Sequence, residues 1–370
     1  MANMFDYLQW RGDLSFRQCP ANRVDALIFS TLSYISFGGS VEAMPEVPIS
    51  LKDAAAEFFR LPDPEARCRV KADLSLLQAA AQTKRFGNAM LLQYRSHLVP
   101  EEETQFAAIT FLLDDNTGMV TFRGTDYSLV GWKEDFNMSF QDTIPSQHLA
   151  LQYTTEIAEK YVMPLRISGH SKGGNLAVFA AVKAGDSLRD RIIRVYNHDG
   201  PGYTNYLLSD PNYKEMLPKI RTIIPQSSVI GMLLEHEEPY TIIKSKTIGL
   251  LQHDPYSWEI LGPDFLPMEE ITADSRFLNQ TIKHWLAGMT IEDRNEVVDA
   301  VFDLLSIGDV DNVLDIIQPK NIGNYLRTLH TNTKIRRILS EELTSLLEAA
   351  KKTQLELEAA RDQNTTETLP

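Results

Sequence analysis

Gly169-His170-Ser171-Lys172-Gly173-Gly174 sets a serine between glycines where an apolar run meets a helix-like one. Residues 165–168, after Pro164, have the composition of a short strand, and residues 175–183 are rich in alanine and free of breakers, so the serine falls at a strand-to-helix turn. A turn this tight needs neighbours without side chains, so that the backbone can take a strained conformation and the helix can pack close. The turn points the hydroxyl outward and aims the N–H groups of the helix N-terminus at developing negative charge. Acyl transfer to serine requires this geometry, and the spacing reads as a nucleophile elbow.

A serine is a poor nucleophile until a base takes its proton. Of the eight histidines, His253 has the best context, because it follows the last β-like run on a loop that Pro255 enforces. In folds built around such an elbow the base comes last in the chain. His170, beside the serine, is expected to point away from it and pack behind the site. The acid that orients the base is open among four residues. Asp199 stands after the strand that follows the nucleophile helix, at the same sheet edge as Ser171, where a carboxylate can reach a histidine loop. An aspartate before glycine is also a common turn residue. Glu235, Glu237 and Asp254 are the alternatives, and Asp254 has to fold back on its neighbour His253. For an oxyanion, Thr125 offers a backbone N–H and a hydroxyl, and Lys172 a backbone N–H. This chemistry needs no metal and no organic cofactor.

The elements that must position these groups follow from the pattern of the chain. Residues 105–113 and 118–122 are β-prone and flank an Asp-Asp-Asn-Thr-Gly turn, which predicts a hairpin or meander. A helix over 146–161, the strand at 165, the helix after Gly173 and strands at 192–197, 220–225 and 240–244 predict a mostly parallel sheet flanked by helices. N-terminal helices are expected over 22–37, capped by Asn22 and Asp25, and around 51–60 and 74–84. Beyond 270 the β signal ends. Thr290 opens a helix, and Ile335, Ile338, Leu339, Leu343, Leu346 and Leu347 recur at helical spacing, read as core packing against the sheet domain rather than a coiled coil. The expected organisation is an α/β domain over 1–270, a helical region over 271–362 packed on it, and a disordered tail over 363–370.

Composition narrows the function classes. With 43% hydrophobic and 23% charged residues, the chain reads as an ordinary globular protein, and a net charge of −14 argues against nucleic acid or anionic membranes as partners. Two cysteines, Cys19 and Cys68, argue against a disulfide framework, since neither sits in a C-x-x-C or metal-ligand spacing. The N-terminus lacks a secretory pattern, and the longest apolar stretch, residues 24–37, is too short and too polar for a transmembrane segment. A cytoplasmic location is expected.

Phe122-Arg123-Gly124-Thr125, then Trp132 and Asp135 in W-x-x-D spacing, the elbow, and Gly200-Pro201 after the next strand resemble the class 3 lipases of the α/β-hydrolase superfamily over roughly residues 105–260. The N-terminal DYLQWRGDLSF and NRVDALIFSTLSY, with the late QHDPYSW, look like the bacterial Mbeg-like family of that superfamily. The resemblance implies an α/β-hydrolase fold and a serine hydrolase, with Ser171 as nucleophile, Thr125 and Lys172 as oxyanion donors and His253 as base, acting on a small-molecule acyl ester or lipid. Two departures stand out. Class 3 lipases carry leucine where this chain has Lys172, which implies an ammonium at the pocket rim and an anionic or polar acyl substrate. Their acid lies in a D-x-V-P setting, and the matching segment, residues 225–231, holds no carboxylate. Either Asp199 supplies the acid or the triad is incomplete. Two readings follow: a serine esterase or lipase-like hydrolase, and a non-catalytic relative that binds a ligand or a protein partner. Met232 to Leu234 and Tyr203 to Leu208 are candidate linings for an acyl pocket.

Overall fold

The computed structural model describes residues 2–41, 47–307, 313–316 and 318–367. An eight-stranded sheet forms its centre, with the strands side by side in chain order: β1 (Ile49–Ser50), β2 (Met90–Val99), β3 (Thr104–Leu112), β4 (Gly118–Phe122), β5 (Leu165–His170), β6 (Ile192–His198), β7 (Ile220–Pro225) and β8 (Tyr240–Ile243). β1 to β4 pair antiparallel, and β4 to β8 pair parallel. Every residue of β4 and β5 is buried, so both sheet faces must be covered by helices.

One face carries α1 (Met4–Arg11), α2 (Arg23–Leu32), α3 (Leu51–Phe58), α4 (Lys71–Gln82) and α5 (Lys84–Gly87) in a core that takes in Phe111, Met119 and Ile223 of the sheet. After β4 come α6 (Leu129–Asn137), α7 (Pro145–Lys160), α8 (Lys172–Lys183), α9 (Asp186–Arg191), α10 (Asn205–Leu208) and α11 (Pro211–Met216). α7 and α8 pack on the other face against Phe106, Val120 and Phe122. This is the α/β-hydrolase fold, with the elbow at the carboxyl end of β5. β9 (Ile260–Leu261) and β10 (Asp264–Phe265) form a small hairpin.

Asn22 caps α2 in a capping box with Asp25, as its sequence predicts. The helix stops at Leu32, five residues short of the expected end, and the turn that follows brings Tyr34 under the elbow. Asp25 also anchors the N-terminal layer. Its buried carboxylate takes two hydrogen bonds from Arg85, at 2.7 and 2.6 Å, and one from the Tyr7 hydroxyl at 2.9 Å. β2 has no counterpart among the expected strands.

The C-terminal quarter holds α12 (Ala273–Ala287), α13 (Ile291–Leu305), α14 (Val313–Ile316), α15 (Pro319–Thr331) and α16 (Thr333–Glu367). Thr290 caps α13 in a full capping box with Asp293. α13 packs on α6 through Val298 and Phe302 against Leu129 and Phe140, and Lys133 pairs with Asp299 at 2.9 Å. Ile335 and Ile338 are buried against Val297, Ala300 and Leu304 of α13 rather than against the sheet, while Leu343 and Leu347 are exposed. α16 reaches Glu367, so residues 363–367 of the expected tail are helical and 368–370 lie outside the described residues. Cys19 and Cys68 are free thiols. No described helix is long and apolar enough to cross a membrane.

Breaking a buried ion pair leaves an uncompensated charge, which costs about 3–5 kcal/mol. Arg85→Met should therefore lower unfolding free energy by that amount in urea titrations with an unchanged m-value. A loss under about 1 kcal/mol would show that the pair does not hold the N-terminal layer.

Candidate active site

Ser171 sits between β5 and α8 with φ 59° and ψ −136°, a left-handed conformation that costs a non-glycine residue of order 1–3 kcal/mol. The close approach of strand and helix enforces it. A Cβ on Gly169 would lie 2.0 Å from the Gly173 carbonyl oxygen, and one on Gly173 would lie 2.2 Å from that of Phe122. The Ser171 N–H donates to the His198 carbonyl at 3.0 Å. The backbone N–H groups of Lys172 and Thr125 make no turn, loop or cap hydrogen bond to backbone among the described residues.

Asp199 follows β6 and is the second left-handed residue of the site, with φ 53°. It is fully buried, and its N–H donates to the Ile223 carbonyl of β7 at 2.8 Å. Its Oδ2 lies 2.7 Å from His253 Nδ1, and its Oδ1 accepts from the Ser228 hydroxyl. Ser228 lies in the segment 225–231, where the resemblance would place an acid, and it donates to the Asp199 carboxylate instead of supplying one.

The His253 loop is held from beneath. His170 is buried, and burial together with the neighbouring His253 pushes its pKa well below the usual histidine range. A neutral ring can donate only once. Its Nε2 faces the His253 carbonyl at 2.8 Å and must donate there, so Nδ1 accepts from the Tyr34 hydroxyl at 2.9 Å. The His170 and His253 rings lie 4.6 Å apart. Gln252 adds two ties: its side chain accepts from the Ser227 N–H at 2.7 Å and its carbonyl from the Trp258 indole at 2.8 Å. Among the described residues no hydrogen bond joins Ser171 Oγ to His253, although both line one cavity.

Lys172 does not reach the rim. Its ammonium is buried against the equally buried Glu134 carboxylate at 2.7 Å, with the Gln105 carbonyl at 2.8 Å and its side-chain oxygen at 3.0 Å. Glu134 accepts in turn from the N–H groups of Gln105 and Ser146 at 3.1 and 3.0 Å. The ammonium is fully used inside the protein, which removes the argument for an anionic acyl substrate.

Thr125 donates its hydroxyl to Asp135 Oδ2 at 2.6 Å. Burial pushes the Asp135 carboxyl up to about 6, an effect that the nearby Lys172 ammonium opposes. When Asp135 is ionised the Thr125 hydroxyl is committed to it, which narrows the expected oxyanion donation by Thr125 to its backbone N–H.

The other acid candidates lie elsewhere. Glu235 is exposed and pairs with Lys283 at 2.9 Å, Glu237 is exposed, and Asp254 caps the turn after His253 with Arg69 at 3.9 Å. The cavity measures about 480 Å³. Besides Ser171, His253, Thr125 and Asp135, its walls include Trp132 and Phe136 of α6, Leu233 and Leu234, and Ile282, Trp285 and Leu286 of α12. Of the two expected apolar linings, the first contributes through Leu233 and Leu234. The second does not, since Tyr203, Leu207 and Leu208 are buried in the core beneath α8. Among the described residues no cluster of side chains is arranged to hold a metal ion. No sequence motif assigns a role to Glu134, Tyr34 or the α12 residues. Only Asp135 carried a signal, its W-x-x-D spacing from Trp132.

A family model described as Mbeg1-like matches residues 80–303. No curated protein gives a significant match. Similar solved structures include a fungal lipase, 13% identical, covering 73% of this chain and 90% of that one with a TM-score of 0.38. A Rhizomucor miehei lipase–propeptide complex is 14% identical, covering 66% of this chain and 81% of that one, with a TM-score of 0.32. A triacylglycerol lipase from Penicillium expansum is 12% identical, covering 50% and 82%, with a TM-score of 0.30.

Lys172→Met should lower unfolding free energy by about 3–5 kcal/mol by stranding the Glu134 charge. Adding Glu134→Gln should restore at least about 2 kcal/mol of it, because the amide oxygen still accepts while the charge is gone. Simple additivity of the two single changes in denaturant titrations would count against the pair. Asp135 makes a separate prediction. Its folded pKa of about 6 exceeds the ordinary 3.8, so between those values the folded state holds more protons and stability falls as pH rises. Asp135→Asn should flatten that slope; an unchanged slope would assign it to other groups.

Proposed function

The chain belongs to the Mbeg1-like family, and we propose that it is a serine hydrolase that cleaves a carboxylic ester, esterase or lipase-like, through an acyl-enzyme on Ser171. The observation that carries this reading is the 2.7 Å contact between Asp199 Oδ2 and His253 Nδ1, made at the cavity that also exposes the strained Ser171. In the proposed reaction Ser171 Oγ attacks the ester carbonyl while His253 Nε2 takes its proton. Asp199 fixes the imidazole tautomer and stabilises the imidazolium, and the N–H groups of Thr125 and Lys172 receive the oxyanion. Collapse breaks the ester bond, and the proton on Nε2 leaves with the alcohol. Water then attacks the acyl-enzyme with His253 again acting as base, which releases the acid and regenerates Ser171.

The substrate in this reading is an acyl ester or lipid with an apolar chain, since the cavity beyond the polar groups is lined by leucine, isoleucine and aromatic side chains. The free cysteines fit a reducing cytoplasm. The rival reading, a non-catalytic relative that binds a ligand, draws on the missing hydrogen bond between Ser171 and His253. Catalytic hydrogen bonds are often long without substrate and tighten in the complex.

Hydrolysis of p-nitrophenyl esters should vanish in Ser171→Ala and His253→Ala. It should fall on the order of 10⁴-fold in kcat, with little change in KM, in Asp199→Asn. Wild-type rates in Asp199→Asn would exclude Asp199 from the triad, and equal rates in Ser171→Ala would exclude the mechanism.

A further inference from the structure

Ile282, Trp285 and Leu286 occupy positions i, i+3 and i+4 of α12, so they share one face of the helix, and all three line the cavity that holds Ser171 and His253. These residues come from outside the sheet domain, and their position is fixed at both ends. At the start of α12 the Thr272 N–H donates to the Gln226 carbonyl at 2.7 Å, and the Ser275 hydroxyl donates to the carbonyl of Ser228. Ser228 is the residue whose hydroxyl donates to Asp199. Towards its other end the helix is clamped by α16. The Trp285 indole N–H donates to Glu342 Oε2 at 3.0 Å, His284 Nδ1 lies 2.9 Å from the Thr353 hydroxyl, and His284 Nε2 lies 3.3 Å from Glu356 Oε2.

We infer that α12 is the wall that sets acyl-chain length, with Trp285 as its principal gauge and Glu342 of α16 as the residue that positions it. The inference rests on the ester-hydrolase reading for its substrate, a single medium- or long-chain acyl group. The physical basis is burial. An indole is the largest side chain that α12 places in the cavity, and a hydrogen bond to a different helix holds its orientation, so swinging it aside breaks that bond. A rigid apolar wall discriminates by the methylenes it admits or rejects, each worth about 10- to 200-fold in kcat/KM. A wall that hung on one flexible contact would discriminate less. The role assigned to α16 is therefore positional: it touches Trp285, not the acyl chain.

The test is a series of p-nitrophenyl esters from acetate to palmitate, measured on the full chain. Trp285→Ala should raise the palmitate-to-octanoate ratio of kcat/KM by about tenfold or more, and Leu286→Trp should lower it by a similar factor. Glu342→Ala should move the ratio in the direction of Trp285→Ala but less far, and Glu342→Gln, which keeps an acceptor, should stay near wild type. The opposed signs of Trp285→Ala and Leu286→Trp separate a change of wall from loss of folding. A second measurement is independent of chemistry: calorimetric binding of decanoate and palmitate to Ser171→Ala protein should show the same shifts in relative affinity. If wild type lacks Ser171-dependent hydrolysis but fatty-acid affinity still follows Trp285 and Leu286, the hydrolase reading fails and the wall stands. Ratios and affinities that stay within about twofold of wild type in both variants would overturn the assignment of α12.

Discussion

A carboxylate with no solvent exposure has to be surrounded by donors, and the site is arranged around that demand at Asp199. One oxygen takes the Ser228 hydroxyl from the end of β7, and the other meets His253 on the loop after β8. The backbone around it is strained to make this possible, with Asp199 left-handed at φ 53°. Three segments that are far apart in the chain are thereby brought to one carboxyl group. The same Ser228 accepts a hydrogen bond at its carbonyl from Ser275, so the C-terminal helices are tied to the acid through a single residue. Loss of the carboxylate would leave the Ser228 hydroxyl and the His253 ring without a shared partner.

A second constraint is charge in a dry interior. Lys172 follows Ser171 directly, and its side chain is fully buried against Glu134 of α6. The structure meets that cost with Glu134 and two oxygens of Gln105 around the ammonium. Glu134 is adjacent in sequence to Asp135, which holds the Thr125 hydroxyl, so the ion pair fixes the helix that carries the partner of one expected oxyanion donor. α6 is also the helix on which α13 packs. The turn at Ser171, the loop of Thr125 and the C-terminal helices are thus all in contact with α6.

Much of this architecture is legible in the sequence. β5, β6, β7 and β8 fall within about two residues of expectation; the first three are largely buried parallel strands, which read as short apolar runs bounded by turns, and β8 is a β-branched edge strand. The elbow is legible from its glycines, which have no steric alternative. β2 is not, because Gln93, Arg95, Ser96 and His97 break its apolar pattern, although it pairs with β3 as a local hairpin across residues 100–103. The sequence also offers four carboxylates for His253, and choosing among them depends on which loop ends meet at one sheet edge, a fact of three-dimensional packing. Lys172 shows the same limit. A lysine after the elbow serine reads as exposed on propensity alone, and the presence of Glu134 thirty-eight positions upstream makes its burial tolerable. The apolar residues of α16 have helical spacing whichever partner they meet, and Ile335 and Ile338 meet α13 rather than the sheet while Leu343 and Leu347 face solvent.

The central claim is that Ser171 is a nucleophile activated within this cavity. Peptide mapping by mass spectrometry after treatment with a fluorophosphonate tests it most directly, since serine attack on phosphorus expels fluoride and leaves a stable adduct. The account predicts a single adduct on the peptide containing Ser171, abolished by His253→Ala and by prior unfolding. Folded wild-type protein that carries no adduct at Ser171, or that is labelled equally well as Ser171→Ala, would contradict it.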